Sequence, residues 1–312
     1  MLCTLKLFTQ FPHDVDLAFI ESRYGKLTEL TVNDYYSYKT NIKNFQFSYD
    51  SYGLHLEGSV PRFVHGNNIN TLKYHEIEGF INAMSESVGF DVSTMTITRI
   101  DITDNIPVDR APRVYKRFLG RCRYFQRTDY SNNGLNYVNN TRNLLFYDKL
   151  MEMENKGGFV PASLVGKNLL RYEYSIRKRR KDHLGQQIQT LADLLLPANY
   201  LTLIDRWEAM FHRIEKISYQ TTMSMPYRPG MKVKDWLCLQ GVQLHGGMEY
   251  ALQNFEELEA LGHITRRQYD YLRDNLIGHQ NRYNALQNAP GDLKEELVQK
   301  LRALAEENKR MI

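Results

Sequence analysis

The chain has 312 residues, enough for a sizeable core and about two domains. Forty Lys and Arg against 36 Asp and Glu leave a formal charge of only +4, and no uninterrupted apolar run reaches membrane length, which excludes a spanning helix. Three distant cysteines (Cys3, Cys122, Cys238) without a Cys-x-x-Cys pair exclude a disulfide scaffold and a zinc ribbon, and fit a reducing cytoplasm.

The chain opens on Leu2–Phe8, which reads as a strand rather than a leader peptide. Short β-branched and aromatic runs predict further strands at Phe45–Tyr49, Leu54–Glu57, Val60–Val64, Met95–Thr103, Arg121–Gln126, Leu144–Asp148 and Leu169–Ile176. Two helices lie between them. One spans Lys73–Val88, with Ile77, Phe80, Ile81, Met84 and Val88 at helical spacing and Gly89 as its stop; the other spans Ala111–Leu119. Asn132-Asn133-Gly134 marks a hairpin turn. After Pro197 the texture becomes helical: a long amphipathic segment through Leu201–Ile214, then helices at Met248–Leu261, Thr265–His279 and Leu293–Lys309. The expected architecture is α+β, with a largely antiparallel sheet and flanking helices over residues 1–197 and a smaller all-helical domain over 198–312.

The near-neutral total hides a local field. Between Arg110 and Lys149 nine basic residues face two acids, and Arg177-Lys178-Arg179-Arg180-Lys181 is uninterrupted positive charge. With Tyr115, Tyr124, Phe125, Tyr130 and Tyr137 interleaved, these stretches suit a nucleic acid, through phosphate neutralisation and base stacking. Arg113, Lys116, Arg117, Arg121, Arg123, Arg127 and Arg177 through Lys181 are the candidate DNA contacts. Phosphate-binding loop, dinucleotide, serine-hydrolase and zinc-protease signatures are all missing.

What remains is acids set in strands. Alternation puts Arg99 with Asp101, and Arg171 with Glu173 and Ser175, on single faces; Glu57 is a third such acid. Carboxylates on neighbouring strands can converge on Mg²⁺ or Mn²⁺. The plainer reading pairs Asp101 with Arg99 and Glu173 with Arg171. Tyr147 falls beside Lys149 by the same alternation, which would set a cation next to a phenol able to attack a phosphodiester.

In order, Thr96-Ile-Thr-Arg-Ile-Asp101, Asn143-Leu-Leu-Phe-Tyr147-Asp-Lys149 with Glu152, and Leu169-Leu-Arg-Tyr-Glu173-Tyr resemble the filamentous-phage gene II initiators and related rolling-circle plasmid initiators; Leu56-Glu57 through Asn68 adds a fainter match. That resemblance implies a nicking-closing enzyme that cuts one origin strand and is joined to its 5′ phosphate through tyrosine. By the same resemblance Tyr147 is the nucleophile, Lys149 lies near the scissile phosphate, and Asp101, Glu173 and Glu57 hold Mg²⁺ or Mn²⁺. Tyr130 and Tyr137, flanking the Asn-Asn-Gly turn, are rival nucleophiles. The implied partner is origin DNA, single-stranded or cruciform at the nick, with a host helicase as a further candidate and no membrane. A non-catalytic origin-binding initiator or repressor is the alternative.

Overall fold

Alternation of apolar and polar residues builds one ten-stranded sheet. Its strands are β1 (Leu2–Thr9), β2 (Thr28–Val32), β3 (Tyr35–Ile42), β4 (Phe45–Asp50), β5 (Gly53–Ser59), β6 (Thr96–Pro107), β8 (Gln126–Tyr130), β9 (Gly134–Val138), β10 (Arg142–Asp148) and β11 (Leu169–Ile176). They lie in the order β2-β3-β4-β5-β1-β6-β11-β10-β9-β8, each antiparallel to its neighbours. A second sheet joins β7 (Leu119–Cys122) to β12 (Ile214–Lys216). The computed structural model describes all residues except 11–14, 33–34, 131–133, 178–182, 217–229, 245–246 and 286–292. The Asn-Asn-Gly turn lies partly outside the described residues, although the strands flanking it pair as a hairpin, Tyr130 against Gly134.

One sheet face is apolar. Leu5, Leu7, Leu56, Ile97, Ile100, Ile102, Leu144, Phe146, Tyr172, Tyr174 and Ile176 are buried there. A short helix, α1 (Leu17–Tyr24), follows β1, and three others supply the cover: α2 (Val60–His65), α3 (Ile77–Val88) and α6 (Pro197–His212). Phe63 of α2 and Phe80 of α3 pack edge-on at 5.7 Å, and both meet Phe45. Further along, Phe146 stacks on Tyr172 at 4.5 Å, and Trp207 of α6 packs on Tyr172 while donating to its backbone carbonyl. An antiparallel sheet packed on one side leaves its other face to polar residues and water.

The segment Val60–Val64, expected as a strand, is helix α2. Pro61 sits in its first turn, where a missing N–H costs nothing, and Gly66 closes it at φ 74°. The helix expected over Ala111–Leu119 is a single turn, α4 (Pro112–Tyr115), followed by a 3₁₀ turn, because Leu119–Cys122 is drawn into the ladder with β12. The run Arg121–Gln126 is accordingly divided between β7 and β8, with a turn at Arg123 and Tyr124. The expected α3 and its Gly89 stop are present, with Gly89 at φ 80°.

The chain divides into two compact units, residues 1–215 with 297–312, and residues 216–296. This division does not coincide with a boundary at residue 197. Helix α6 belongs to the first unit through Trp207, Met210 and Phe211, and so does the last helix, α10 (Leu293–Arg310), from Leu297 onward. Leu297, Leu301, Ala305 and Asn308 form the buried stripe of α10. Asn308 donates to Asp104 of β6 and accepts from Lys73, while Lys309 pairs with Asp205 and Glu208 of α6. The second unit comprises α7 (Val233–Leu244), α8 (Gly247–Ala260) and α9 (Arg266–Ala285) around Met231, Leu239 and Leu276. Among the described residues no helix is long and apolar enough to cross a membrane.

Replacing Trp207 by Ala should destabilise the first unit by about 3–5 kcal/mol, the range for losing a large buried aromatic. Urea denaturation followed by far-ultraviolet circular dichroism would measure it, and a loss below about 1 kcal/mol would show that α6 is not the main cover of β11.

Candidate active site

Cross-strand register gathers the candidate residues on the polar face. Glu57, Lys6 and Arg99 stand in one row; Asp101, Ser175 and Asn143 in the next; Glu173, Thr103 and Leu145 follow; Arg171, Asn105 and Tyr147 end the set. Directly paired residues of an antiparallel ladder project from the same face. The three acids, which span 116 positions from Glu57 to Glu173, are therefore brought to one face across five adjacent strands, β5, β1, β6, β11 and β10.

At the centre of the last two rows is Arg171, fully buried. Its Nε donates to Glu173 Oε1 at 2.7 Å, one terminal nitrogen to the Asn68 carbonyl at 2.9 Å and to Asn105 Oδ1 at 3.2 Å, and the other to Cys3 Sγ at 3.0 Å. Cys3 reaches it because β1 shifts register between Leu2 and Thr4, a bulge that re-aims one side chain. Glu173 Oε1 also accepts the Tyr147 hydroxyl at 2.8 Å. Burial raises the phenol's proton affinity well above the ordinary tyrosine value; Arg171 opposes this and Glu173 reinforces it. A half-buried phenol is thus held on a carboxylate that can receive its proton.

Lys149 is placed differently from the expected strand neighbour of Tyr147. β10 ends at Asp148, whose carboxylate caps α5 (Lys149–Asn155) by accepting from Leu150 and Met151. Lys149 therefore starts a helix. Its buried Nζ donates to Glu152 at 2.8 Å and to Asn68 Oδ1 at 3.0 Å, and burial, with Arg171 nearby, lowers its pKa.

The other two acids meet at Arg99. Its guanidinium donates to both oxygens of Asp101, at 3.0 and 2.7 Å, and to Glu57 at 3.2 Å; Lys6 takes the second Glu57 oxygen at 3.1 Å. Asp101 is buried, which raises its pKa, while Arg99 pulls it down. The plainer reading of both Arg-x-acid pairs is the one present here. Glu57, Asp101 and Glu173 offer the hard oxygen donors of a Mg²⁺ or Mn²⁺ site, but a guanidinium occupies the position between the first two and another holds the third. Among the described residues no three His, Cys, Asp or Glu side chains stand together ready to hold a metal ion. As arranged, the trio does not fit a divalent ion.

Residues 21–209 match the family described as the N-terminal part of a replication-associated protein, the gene II product. The chain belongs to that family. It is accordingly a rolling-circle replication initiator of the gene II type. No curated protein matches the chain.

The matched segment of this initiator contains the tyrosines singled out above. Tyr130, 44% exposed, has its ring 6.2 Å from that of Tyr147, on the same face. Tyr137 points to the opposite, apolar face, fully buried, with its hydroxyl on the Gly120 carbonyl. The basic residues divide as well. Arg113, Arg117, Arg121 and Arg123 are exposed on and around α4 and β7, and Arg123 lies over the ring of Tyr124, which takes a left-handed φ of 68° and projects into solvent. Lys116 pairs with Asp129, and Arg127 turns back to the carbonyls of Leu119 and Lys116. Arg177 is exposed; Lys178, Arg179, Arg180 and Lys181 lie outside the described residues. Sequence reasoning misses Asn68, Asn105 and Cys3, which no local pattern connects to β11.

Arg171→Met should cost about 3–5 kcal/mol, because it leaves Glu173 and three other acceptors without their buried cation. Equilibrium unfolding in urea measures it, and near-native stability would show that Arg171 does not organise the site.

Proposed function

We propose that the protein nicks and rejoins one strand of origin DNA through Tyr147. The observation that carries this reading is the 2.8 Å hydrogen bond from the Tyr147 hydroxyl to Glu173, in a chain that belongs to a family of replication initiators. A phenol hydrogen-bonded to a carboxylate can pass its proton to that group as it attacks. The Tyr147 oxygen bonds to phosphorus as its proton passes to Glu173; the bond to the 3′ oxygen breaks, and that oxygen leaves as a 3′-hydroxyl with a proton from water. Arg171 fixes Glu173 in place. Rejoining runs the same exchange in reverse, and because the phosphotyrosine conserves the bond, no nucleotide triphosphate is consumed.

Cations for the DNA backbone come from the exposed Arg113, Arg117, Arg121 and Arg123. The second reading is an origin-binding initiator without chemistry. It is favoured by the pairing of each acid with an arginine. Incubation with supercoiled origin DNA separates the two: an adduct that survives denaturant is expected for the unaltered chain, is lost in Tyr147→Phe with origin binding retained, and persists in Tyr130→Phe. An adduct that instead vanishes only in Tyr130→Phe would move the nucleophile to that residue.

A divalent ion is a separate proposal, since Arg99 would have to leave its place between Glu57 and Asp101. Arg99→Gln is then expected to bind Mn²⁺ more tightly than the unaltered chain, read by water-proton relaxation. Equal binding would remove these acids as a metal site.

A further inference from the structure

Beside the Tyr147–Glu173 pair, a second feature of the first unit has no part in the reaction described so far. A cavity of about 340 Å³ opens between the end of α2, the loop that follows it, and α5 with the segment behind it. Its lining includes Arg62, Asn67, Asn68, Glu152, Lys156 and Phe159. The volume lies within the range of small-ligand sites, which begins near roughly 300 Å³.

The local chain geometry builds this wall from both sides. Gly66, at φ 74°, turns the chain out of α2, and Asn67 Oδ1 accepts the Ile69 amide at 3.1 Å to hold the loop. Asn68 is gripped twice: its carbonyl by Arg171 and its side-chain oxygen by Lys149. With that oxygen engaged, the amide NH₂ is the donor that Asn68 can offer. On the other side, Gly157 at φ 66° ends α5, the Gly158 amide returns to the Met153 carbonyl at 2.8 Å, and Phe159 is carried out to 82% exposure. A lone exposed aromatic needs no explanation, but one that lines a cavity beside the exposed Arg62, with Lys156 paired to Glu152 on the same wall, has the composition of a base-stacking platform with a phosphate contact.

We propose that this cavity takes one unpaired nucleotide of the strand to be cut. Its base stacks on Phe159, its edge meets the Asn67 and Asn68 amides, and its neighbouring phosphate lies against Arg62. This rests on the nicking reading above, and it adds the means of placing the strand. Asn68 contacts the same guanidinium that holds Glu173, so a base seated in the cavity is registered against Tyr147 through Arg171 and Glu173.

The test reads binding without cleavage. A fluorescein-labelled oligothymidylate carrying 5-iododeoxyuridine is mixed with the full chain in EDTA, and anisotropy and photo-crosslinking are recorded. The crosslink is expected in the peptide containing Phe159. Phe159→Ala should weaken single-strand binding by roughly 5- to 100-fold, the range for loss of one stacked base, with Phe159→Trp restoring it. Duplex affinity and melting temperature should not change, because the ring is exposed. Equal single-strand affinity in Phe159→Ala, or an equal loss for duplex, overturns the proposal. The two readings fail separately. A Tyr147 adduct with a neutral Phe159→Ala removes the base site alone, whereas a Phe159 crosslink without any adduct removes the nicking chemistry alone.

Discussion

The site depends on the burial of one guanidinium. Arginine has no accessible neutral form, so a fully buried Arg171 is tolerable only where its donors meet acceptors. Here the acceptors come from four places: Glu173 on its own strand, Asn105 on β6, Cys3 at the bulge of β1, and the Asn68 carbonyl in the loop after α2. Satisfying that charge fixes all four segments relative to one another. The Tyr147–Glu173 hydrogen bond follows, because Glu173 cannot turn away from Tyr147 without leaving the arginine.

The two faces of the sheet divide the work. The apolar face carries the aromatic stack of Phe146, Tyr172 and Trp207 together with the α2 and α3 contacts, and most of the cohesion resides there. The opposite face holds charged and hydroxyl groups in rows, and its geometry is imposed by register rather than by packing. A defined arrangement of polar groups can exist on a half-solvated surface because the strands beneath it cannot slip without turning the whole apolar face outward.

Much of this is legible in the sequence, and what is not has identifiable causes. β1, β6, β10 and β11 are readable because their alternation is strong, and α3 because five apolar residues keep helical spacing before Gly89. The Val60–Val64 segment misleads because its β-branched residues outweigh a proline in a first helical turn. Strands β2 and β3 escape for lack of a clean apolar run. Alternation puts Asp101 with Arg99, and Glu173 with Arg171 and Ser175, within their own strands, yet it cannot give strand order, on which the meeting of different strands' residues depends. Lys149 is misplaced when alternation is carried one residue past the strand's end, where Asp148 starts a helix. The contacts of Arg171 with Asn68 and Cys3 span 103 and 168 positions, and no periodicity reaches that far.

The return of α10 to the first unit has a consequence for synthesis. The sheet's strands leave the ribosome first, but Asp104 and Lys73 wait for Asn308, and the stripe of Leu297, Leu301 and Ala305 arrives only after residues 216–296 have been made. A nascent chain therefore cannot close its initiator fold early, and this late closure delays maturation until translation has passed the inserted helices.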